Sequence, residues 1–394
     1  MPSAPDLTPV PLTADMVRGA VELEPTGRGL LPQRLPVWAR RRADPQLAFA
    51  AAQPSGVRLV LRTRATRLRL ETVPTKQVYV GAPPRPDGVY DLLLDGELVA
   101  QATAIGGDTL TFDLATGGYE HTPGSTAVVE LDGLPAHDKR VEVWLPWNER
   151  TKLVGLAADA PVTADPATAP RWVHHGSSIS HGSNASSPTA TWPARAAAYA
   201  GIELLNLGFS GSALLDPFVA RVLRDTPADL ISLKLGINVV NTDLMRLRAF
   251  VPAVHGFLDT IRDGHPDTPL LVVSPIACPI HESTPGPSDM DPSGLAEGRL
   301  RFVAAGDPAD VARGKLTLEV IRRELAGLVD QREDAHLHYL DGLSLYGLDD
   351  AERLPLPDDL HPDAATHALI GERFGLAIDG LAIDGLAIDG LRRS

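Results

Sequence analysis

The sequence predicts an α/β protein of two domains: a β-sandwich of jelly-roll type, followed by a three-layer α/β/α domain built on five parallel strands. Three observations carry this. The chain is 394 residues long, more than one compact core of ordinary size accommodates. Its first part reads as short strands whose apolar and charged residues alternate, the pattern of sheets wet on one face. From residue 171 onward the strands become near-continuous apolar runs separated by helical stretches, as expected when helices cover both faces of a parallel sheet.

Residues 1 to about 55 are rich in Pro, Arg and Ala with weak periodicity and read as an extended lead-in. Strand patterns follow at 57–63 and 66–72, then at 90–94 and 97–100 around Asp95-Gly96, a hairpin turn in which both central residues want positive φ. Further strands are expected at 109–113, 127–131 and 140–145, with no convincing helix among them, which is the signature of a sandwich. Residues 157–170 have the Ala/Pro/Asp/Thr composition of a linker. We therefore expect an N-terminal domain at 1–160, a second domain at 161–376 and a C-terminal tail at 377–394.

In the second domain apolar strands are expected at Arg171–His174, Ile202–Leu207, Leu230–Leu235, Leu270–Ser274 and Leu337–Leu340. Helices are expected near 190–200, 214–225, 243–263 and 315–332, and the simplest strand order is 2-1-3-4-5. Residues 277–313 form a long Pro/Gly/acid-rich insertion after the fourth strand, the kind of segment that supplies lids and binding loops. Within it, Asp289 to Gly294 imitates the start of a calcium loop, but Leu300 stands where a bidentate Glu is required. Near the C-terminus Gly-Leu-Ala-Ile-Asp recurs with period five, which matches neither helix nor strand and reads as a duplicated tail.

Composition excludes several functions. The net charge of −14 argues against nucleic-acid and anionic-membrane partners. One cysteine, Cys278, leaves no disulfide framework, and it follows an apolar strand as a small buried hydrophobe would. No signal peptide or bilayer-length apolar run is evident, so a cytoplasmic enzyme is expected and the Asn184-Ala185-Ser186 sequon carries no weight.

The chemistry centres on residues 173–182, where an apolar strand runs through Gly176-Ser177-Ser178 into a helical segment and delivers a serine at the C-terminal end of a strand. Ser178 is the candidate nucleophile and Ser177 its rival by adjacency. His361 is a candidate general base, with Asp358 three residues before it on one loop. His174, His175 and His181 crowd the serine, but adjacent residues of a strand face opposite ways and no carboxylate lies at ligand spacing, so no metal is expected. His181 is expected to line the site or hydrogen-bond behind it.

Four blocks, Gly176-Ser177-Ser178-Ile179, Asn206-Leu207-Gly208-Phe209-Ser210-Gly211, Gly236-Ile237-Asn238 and Asp358-Asp359-Leu360-His361-Pro362, stand in the order found in the SGNH (GDSL-type) serine esterase/lipase superfamily, which the chain resembles across 172–376. With a β-sandwich ahead of it, the arrangement resembles a two-domain bacterial subgroup that includes carbohydrate esterases and actinobacterial acyltransferases decorating polyketide antibiotics. The resemblance implies a flavodoxin-like SGNH-hydrolase fold, a Ser178-His361-Asp358 triad, and an oxyanion hole of the Ser178 N–H, the Gly211 N–H and the Asn238 side chain, with no cofactor. Two positions depart from the pattern: Ser177 stands where the family has Asp, and Val239 follows Asn238 where Asp is usual. The expected activity is ester hydrolysis through an acyl-serine. The alternatives are acyl transfer from a thioester donor to a small-molecule hydroxyl, and a non-catalytic glycan-binding protein.

Overall fold

The structure, a computed structural model, describes residues 7–81, 84–113, 116–296 and 298–383. It divides into two compact units: Met1–Pro36, Ala51–Thr168 and Ser187–Thr189 in one, and Val37–Ala50, Ala169–Ser186 and Ala190–Ser394 in the other.

The first unit is two sheets around one apolar core. One sheet runs Tyr119–Thr122, Asp108–Phe112, Leu68–Tyr79, Arg150–Ala158, Gly29–Gln33, Glu22–Thr26, with Thr8–Val10 and Ala127–Leu131 pairing alongside. The other runs Val162–Ala164, Arg58–Thr63, Lys139–Trp144, Val89–Leu94, Glu97–Thr103, with Val17–Arg18 at its side. Leu59, Leu61, Val141 and Val143 from the second sheet meet Leu68, Leu70, Val129 and Leu156 from the first, so period-two patterning buries one face of each sheet. Asp95 and Gly96 both have positive φ, as the Asp-Gly turn demands.

Three expectations are revised here. The lead-in is structured: it contributes four short strands to the first unit and the helices Val37–Arg40 and Pro45–Ala51. Prolines and strand lengths of two to five residues hid those strands. The strand Arg150–Ala158 is unexpected because a bulge between Leu153 and Gly155 breaks its alternation. The stretch read as linker also holds the strand Val162–Ala164, paired with Arg58–Thr63.

The second unit holds the parallel sheet Glu203–Gly208, Arg171–Gly176, Leu230–Lys234, Leu270–Val273, Leu337–Leu340, which is the order 2-1-3-4-5. Helices Trp192–Ala200, Pro217–Asp225, Leu247–Arg262 and Leu318–Gln331 connect it. The chain closes with a helix at Ala364–Ile383 that runs into the period-five repeat. Ile370, Phe374 and Ile378 are fully buried at helical spacing, a stripe masked by the small residues around it. Gly371 and Gly375 face the Trp192–Ala200 helix so closely that a Cβ would lie 2.7 Å from Arg195 Cβ and 2.6 Å from the Tyr199 ring. Phe374 packs on Trp172 and Trp192 with ring centroids 5.2 and 4.9 Å away. The rest of the repeat, 384–394, lies outside the described residues.

Candidate active site

Three adjacent strands of the parallel sheet end at one edge, and each is followed within a few residues by one candidate group: Ser178 after Arg171–Gly176, Gly211 after Glu203–Gly208, Asn238 after Leu230–Lys234. Ser178 opens the short helix Ser178–His181, whose N-cap is Ser177; the Ser177 hydroxyl accepts the Ile179 N–H at 3.3 Å. The rival serine is thus engaged as a cap, and the Ser178 N–H, first in the helix, has no carbonyl of that helix to bond. Asn206 ties the turn together by donating to the Ser180 carbonyl and accepting the Gly208 N–H, both at 2.8 Å.

Ser178 Oγ lies 2.9 Å from His361 Nε2, and His361 Nδ1 lies 2.8 Å from Asp358 Oδ2. Asp358 also accepts the backbone N–H groups of His361 at 2.6 Å and Leu360 at 3.0 Å, and the Asn184 side-chain amide at 3.3 Å. Burial alone pushes the Asp358 carboxyl up, but the His361 side chain, its charge and those backbone donors outweigh it and hold the carboxyl below its usual range. An ionised Asp358 accepts from Nδ1, which leaves Nε2 unprotonated and facing the serine hydroxyl. Ser178 and Asp358 are each 8% exposed, so both ends of this chain of hydrogen bonds are largely shielded from solvent.

The oxyanion candidates are oriented by their own partners. Asn238 Oδ1 accepts the Ala213 N–H at 3.1 Å, which leaves its Nδ2 as the donating end. Gly211 has φ +70, and the place where a Cβ would sit is 2.1 Å from Gln46 Nε2. Gln46, on the Pro45–Ala51 helix, donates to the Ser210 carbonyl at 3.3 Å.

The neighbouring histidines are structural partners of this turn. His174 is bracketed by hydroxyls, Nδ1 at 2.7 Å from Ser232 Oγ and Nε2 at 2.8 Å from Ser180 Oγ, and Trp172 Nε1 donates to the same Ser232 oxygen. His175 points to the other face, where Nδ1 donates to the Leu207 carbonyl at 2.8 Å and the ring stacks on Phe257. Burial drives His174 well below the usual imidazole range and His175 down to about 4, so both are neutral. His181 Nδ1 donates to the Gly208 carbonyl at 3.1 Å. Among the described residues no group of three or more His, Cys, Asp or Glu is placed to hold a metal.

Several residues that sequence reasoning passed over meet here. Asn184, read as part of a meaningless sequon, bonds Asp358. His367 accepts the Trp192 N–H at Nδ1 and donates from Nε2 to the Ser183 carbonyl at 2.9 Å, tying the nucleophile segment to the helix that follows His361. From the insertion, Phe302 donates its N–H to the Asp358 carbonyl at 3.0 Å and sets its ring edge-on to His361, centroids 5.7 Å apart. Arg301 pairs with Asp359 at 2.7 Å, and Cys278, buried with its thiol pushed up to about 12 by burial, faces the Asp359 carbonyl. No sequence motif announces these contacts, because each joins residues far apart in the chain.

Comparison with known proteins agrees with this architecture. Residues 170–281 match the GDSL-like Lipase/Acylhydrolase family. No curated protein matches the chain by sequence. Among solved structures it is similar to the salicylyl-acyltransferase SsfX3 from a tetracycline biosynthetic pathway, with 29% identity, 96% of each chain covered and a TM-score of 0.73. A GDSL-like protein from Bacteroides ovatus ATCC 8483 shares the fold at 18% identity, covering 96% of this chain and 98% of that one, TM-score 0.67. So does a family two carbohydrate esterase from Clostridium thermocellum at 15% identity, covering 84% and 92%, TM-score 0.52. The segment 170–281 is thus similar to the GDSL-like lipase/acylhydrolase family, and it lies in the parallel-sheet unit of a chain whose N-terminal unit is rich in sheet.

Proposed function

We propose that this protein is a serine acyl-transfer enzyme that hydrolyses a small-molecule ester through an acyl-serine at Ser178. The observation that carries the reading is the continuous chain from Ser178 Oγ to His361 Nε2 at 2.9 Å and from His361 Nδ1 to Asp358 at 2.8 Å. Ser178 Oγ attacks the acyl carbon while its proton passes to His361 Nε2, and the imidazolium so formed is stabilised by ionised Asp358. The oxyanion is met by the Ser178 N–H, the Gly211 N–H and Asn238 Nδ2. His361 returns the proton to the leaving oxygen or sulfur, and water then repeats the sequence on the acyl-serine.

The test is covalent. A fluorophosphonate should label the wild-type protein at Ser178, and Ser178→Ala should lose both the label and turnover of a short-chain aryl ester, by roughly 10⁶-fold as for a triad serine elsewhere. Ser177→Ala should keep both. Labelling that survives Ser178→Ala, or disappears only in Ser177→Ala, moves the nucleophile by one residue; no labelling of folded protein supports a non-catalytic binding role.

A second reading is favoured by one observation, the likeness to the salicylyl-acyltransferase SsfX3 along 96% of both chains. In that reading the acyl-serine is formed from a thioester and a small-molecule hydroxyl takes the place of water. The same residues serve both, and the two readings differ in the acyl donor and in what attacks the acyl-serine.

A further inference from the structure

His361 Nε2 has to give a proton to the oxygen that leaves and take one from the oxygen that enters. That oxygen must lie within hydrogen-bond reach of Nε2, so a side chain that packs on the His361 ring is a candidate wall for the alcohol part of the substrate. The flanking element is the hairpin Ser288–Met290/Phe302–Ala304 within the 277–313 insertion. Resting on the acyl-serine reading above, we infer that this hairpin forms the subsite for the leaving or accepting alcohol. We assign Phe302 as its specificity-determining residue and infer that the subsite takes a hydroxyl borne on a planar apolar ring system rather than on a sugar.

The register sets the character of the surface. Met290 pairs directly with Phe302, and Ser288 with Ala304, so these four side chains share one face of the hairpin. Phe302 turns that face toward His361, with ring planes at 72°. Phe302 is half-buried and Met290 is 39% exposed, so both have surface left to give. Of these four side chains only Ser288 carries an oxygen, and its Oγ bonds His281 Nε2 at 2.6 Å. A sugar here would leave its hydroxyls facing carbon, which costs unpaired polar groups; an aromatic or polycyclic alcohol would bury apolar area against Phe302 and Met290. The wall is held in register with the base, because the residue that forms it also bonds the triad loop through its backbone.

The step balances without any further reactant. The acceptor oxygen bonds the acyl carbon as its proton moves to His361 Nε2; the acyl carbon to Ser178 Oγ bond then breaks and Oγ takes that proton back. Hydrolysis of the corresponding ester runs the same alcohol through the same subsite as the leaving group.

The experiment compares two esters that share an acyl group and differ in the alcohol: benzyl acetate, and methyl β-glucopyranoside acetylated at its primary hydroxyl. The reading is the ratio of their kcat/KM values, in which a general loss of activity cancels. The wild-type ratio should favour benzyl acetate by about tenfold or more, the scale of one aromatic contact with its buried area. Phe302→Ala should bring the ratio close to one, Phe302→Leu should retain part of it, and Met290→Ala should lower it a few-fold. If Phe302→Ala does not fold, Phe302→Leu and Met290→Ala carry the test. A wild-type ratio that favours the glucoside, or one that Phe302 and Met290 substitutions leave unchanged, overturns the inference. So does a protein that turns over neither ester while its Ser178 takes the fluorophosphonate. A folded protein whose Ser178 is not labelled at all overturns instead the acyl-serine reading beneath it.

Discussion

The two segments that meet at Ser178 Oγ are held in place by different means. The nucleophile segment, 177–182, has its own regular structure, a strand end, a Ser177 cap and a left-handed Gly182 at φ 117, and is braced by the neighbouring strands through Asn206, His174 and Gly208. The base loop, 358–361, belongs to no helix or strand; within it Asp358 holds the Leu360 and His361 N–H groups, and Asp359 sits at φ +65. It is fixed from outside by Asn184, Phe302, Arg301 and Cys278, and by the long helix anchored beyond it through His367. The first kind of construction rests on a helix cap and on adjacent strands of one sheet. The second spreads its geometry over several, so substitutions far from the chemistry should be felt at His361 before they are felt at Ser178.

The largest effect that probes this contrast is on the base loop itself. Asp358→Asn preserves the shape but favours the imidazole tautomer with a proton on Nε2, and should lower kcat by about 10⁴-fold, while fluorophosphonate labelling of Ser178 slows in parallel. Acid should act in the same direction. The folded Asp358 carboxyl lies below its usual range, so its interaction with His361 is complete above the unfolded value near pH 4 and is lost as pH falls through the lower folded value. Wild-type rates in Asp358→Asn, with loss in Asp359→Asn, would move the acid by one residue.

Next in size is the oxyanion turn, where the nucleophile side borrows support from afar. Gly211→Ala places a Cβ 2.1 Å from Gln46 Nε2 and puts a side chain at φ +70. Loss of this one donor's placement should cost about 10²–10³-fold in kcat with little change in KM. Gln46→Ala in the Gly211→Ala background should restore part of that loss, because the far end of the glutamine is what the new methyl meets. No restoration would mean that backbone strain alone carries the defect.

The same division explains what could be read from the sequence. The parallel sheet was legible because each strand is an apolar run bounded by turn residues; Ser178 was singled out as the serine at the end of one such run, whereas Gly211 and Asn238 were named through the family resemblance and stand as proposals. Asp358 and His361 share one short loop, so their pairing was legible too. The strand Arg150–Ala158 was not, since its bulge breaks the period that identifies a strand. Val37–Ala50 read as lead-in because what makes it part of the second unit is packing, including Gln46 on the 210–211 turn, and packing leaves no period. Asn184, His367 and Phe302 were missed for the same reason: an exposed Asn, a buried neutral His and a Phe in a short hairpin strand acquire roles only through partners on the order of a hundred residues away.

Asn184 gives a smaller effect that tests the outside support of the base loop. Its amide donates to Asp358 at 3.3 Å, and its own φ is +66. Asn184→Gly removes the amide without straining the backbone, and should lower kcat by about threefold to tenfold, the worth of one hydrogen bond to a shielded carboxylate. It should also raise the pH at which acid inactivates, since a donor that favours ionised Asp358 is gone. An unchanged acid limb would assign Asn184 to the surface alone.

Lys234 should have the smallest effect on turnover, and it sharpens the contrast from the side of stability. The site's carboxylate is buried with four donors; Lys234 is 1% exposed and its Nζ has no hydrogen-bond partner among the described residues. Burial, aided by the nearby Arg322 charge, lowers its amine to about 8 from its ordinary 10.5. Between these values the unfolded chain binds more protons than the folded one, so stability rises with pH through that window. Below about pH 8 both states are charged and the folded state bears the full cost of a solvent-stripped ammonium, on the order of 3 kcal/mol. Lys234→Met keeps the length of the side chain and removes the charge. It should raise unfolding stability by up to about that amount at pH 7 while leaving Ser178 labelling unchanged, and its advantage over wild type should shrink steadily as pH rises from 8 to 10. Denaturant titrations of the two proteins at pH 7 and pH 9.5 measure this directly. A variant less stable than wild type at pH 7, or an advantage that does not fall with pH, would mean that Lys234 stays charged at a net gain, and the contrast between a paired and an unpaired buried charge would no longer hold.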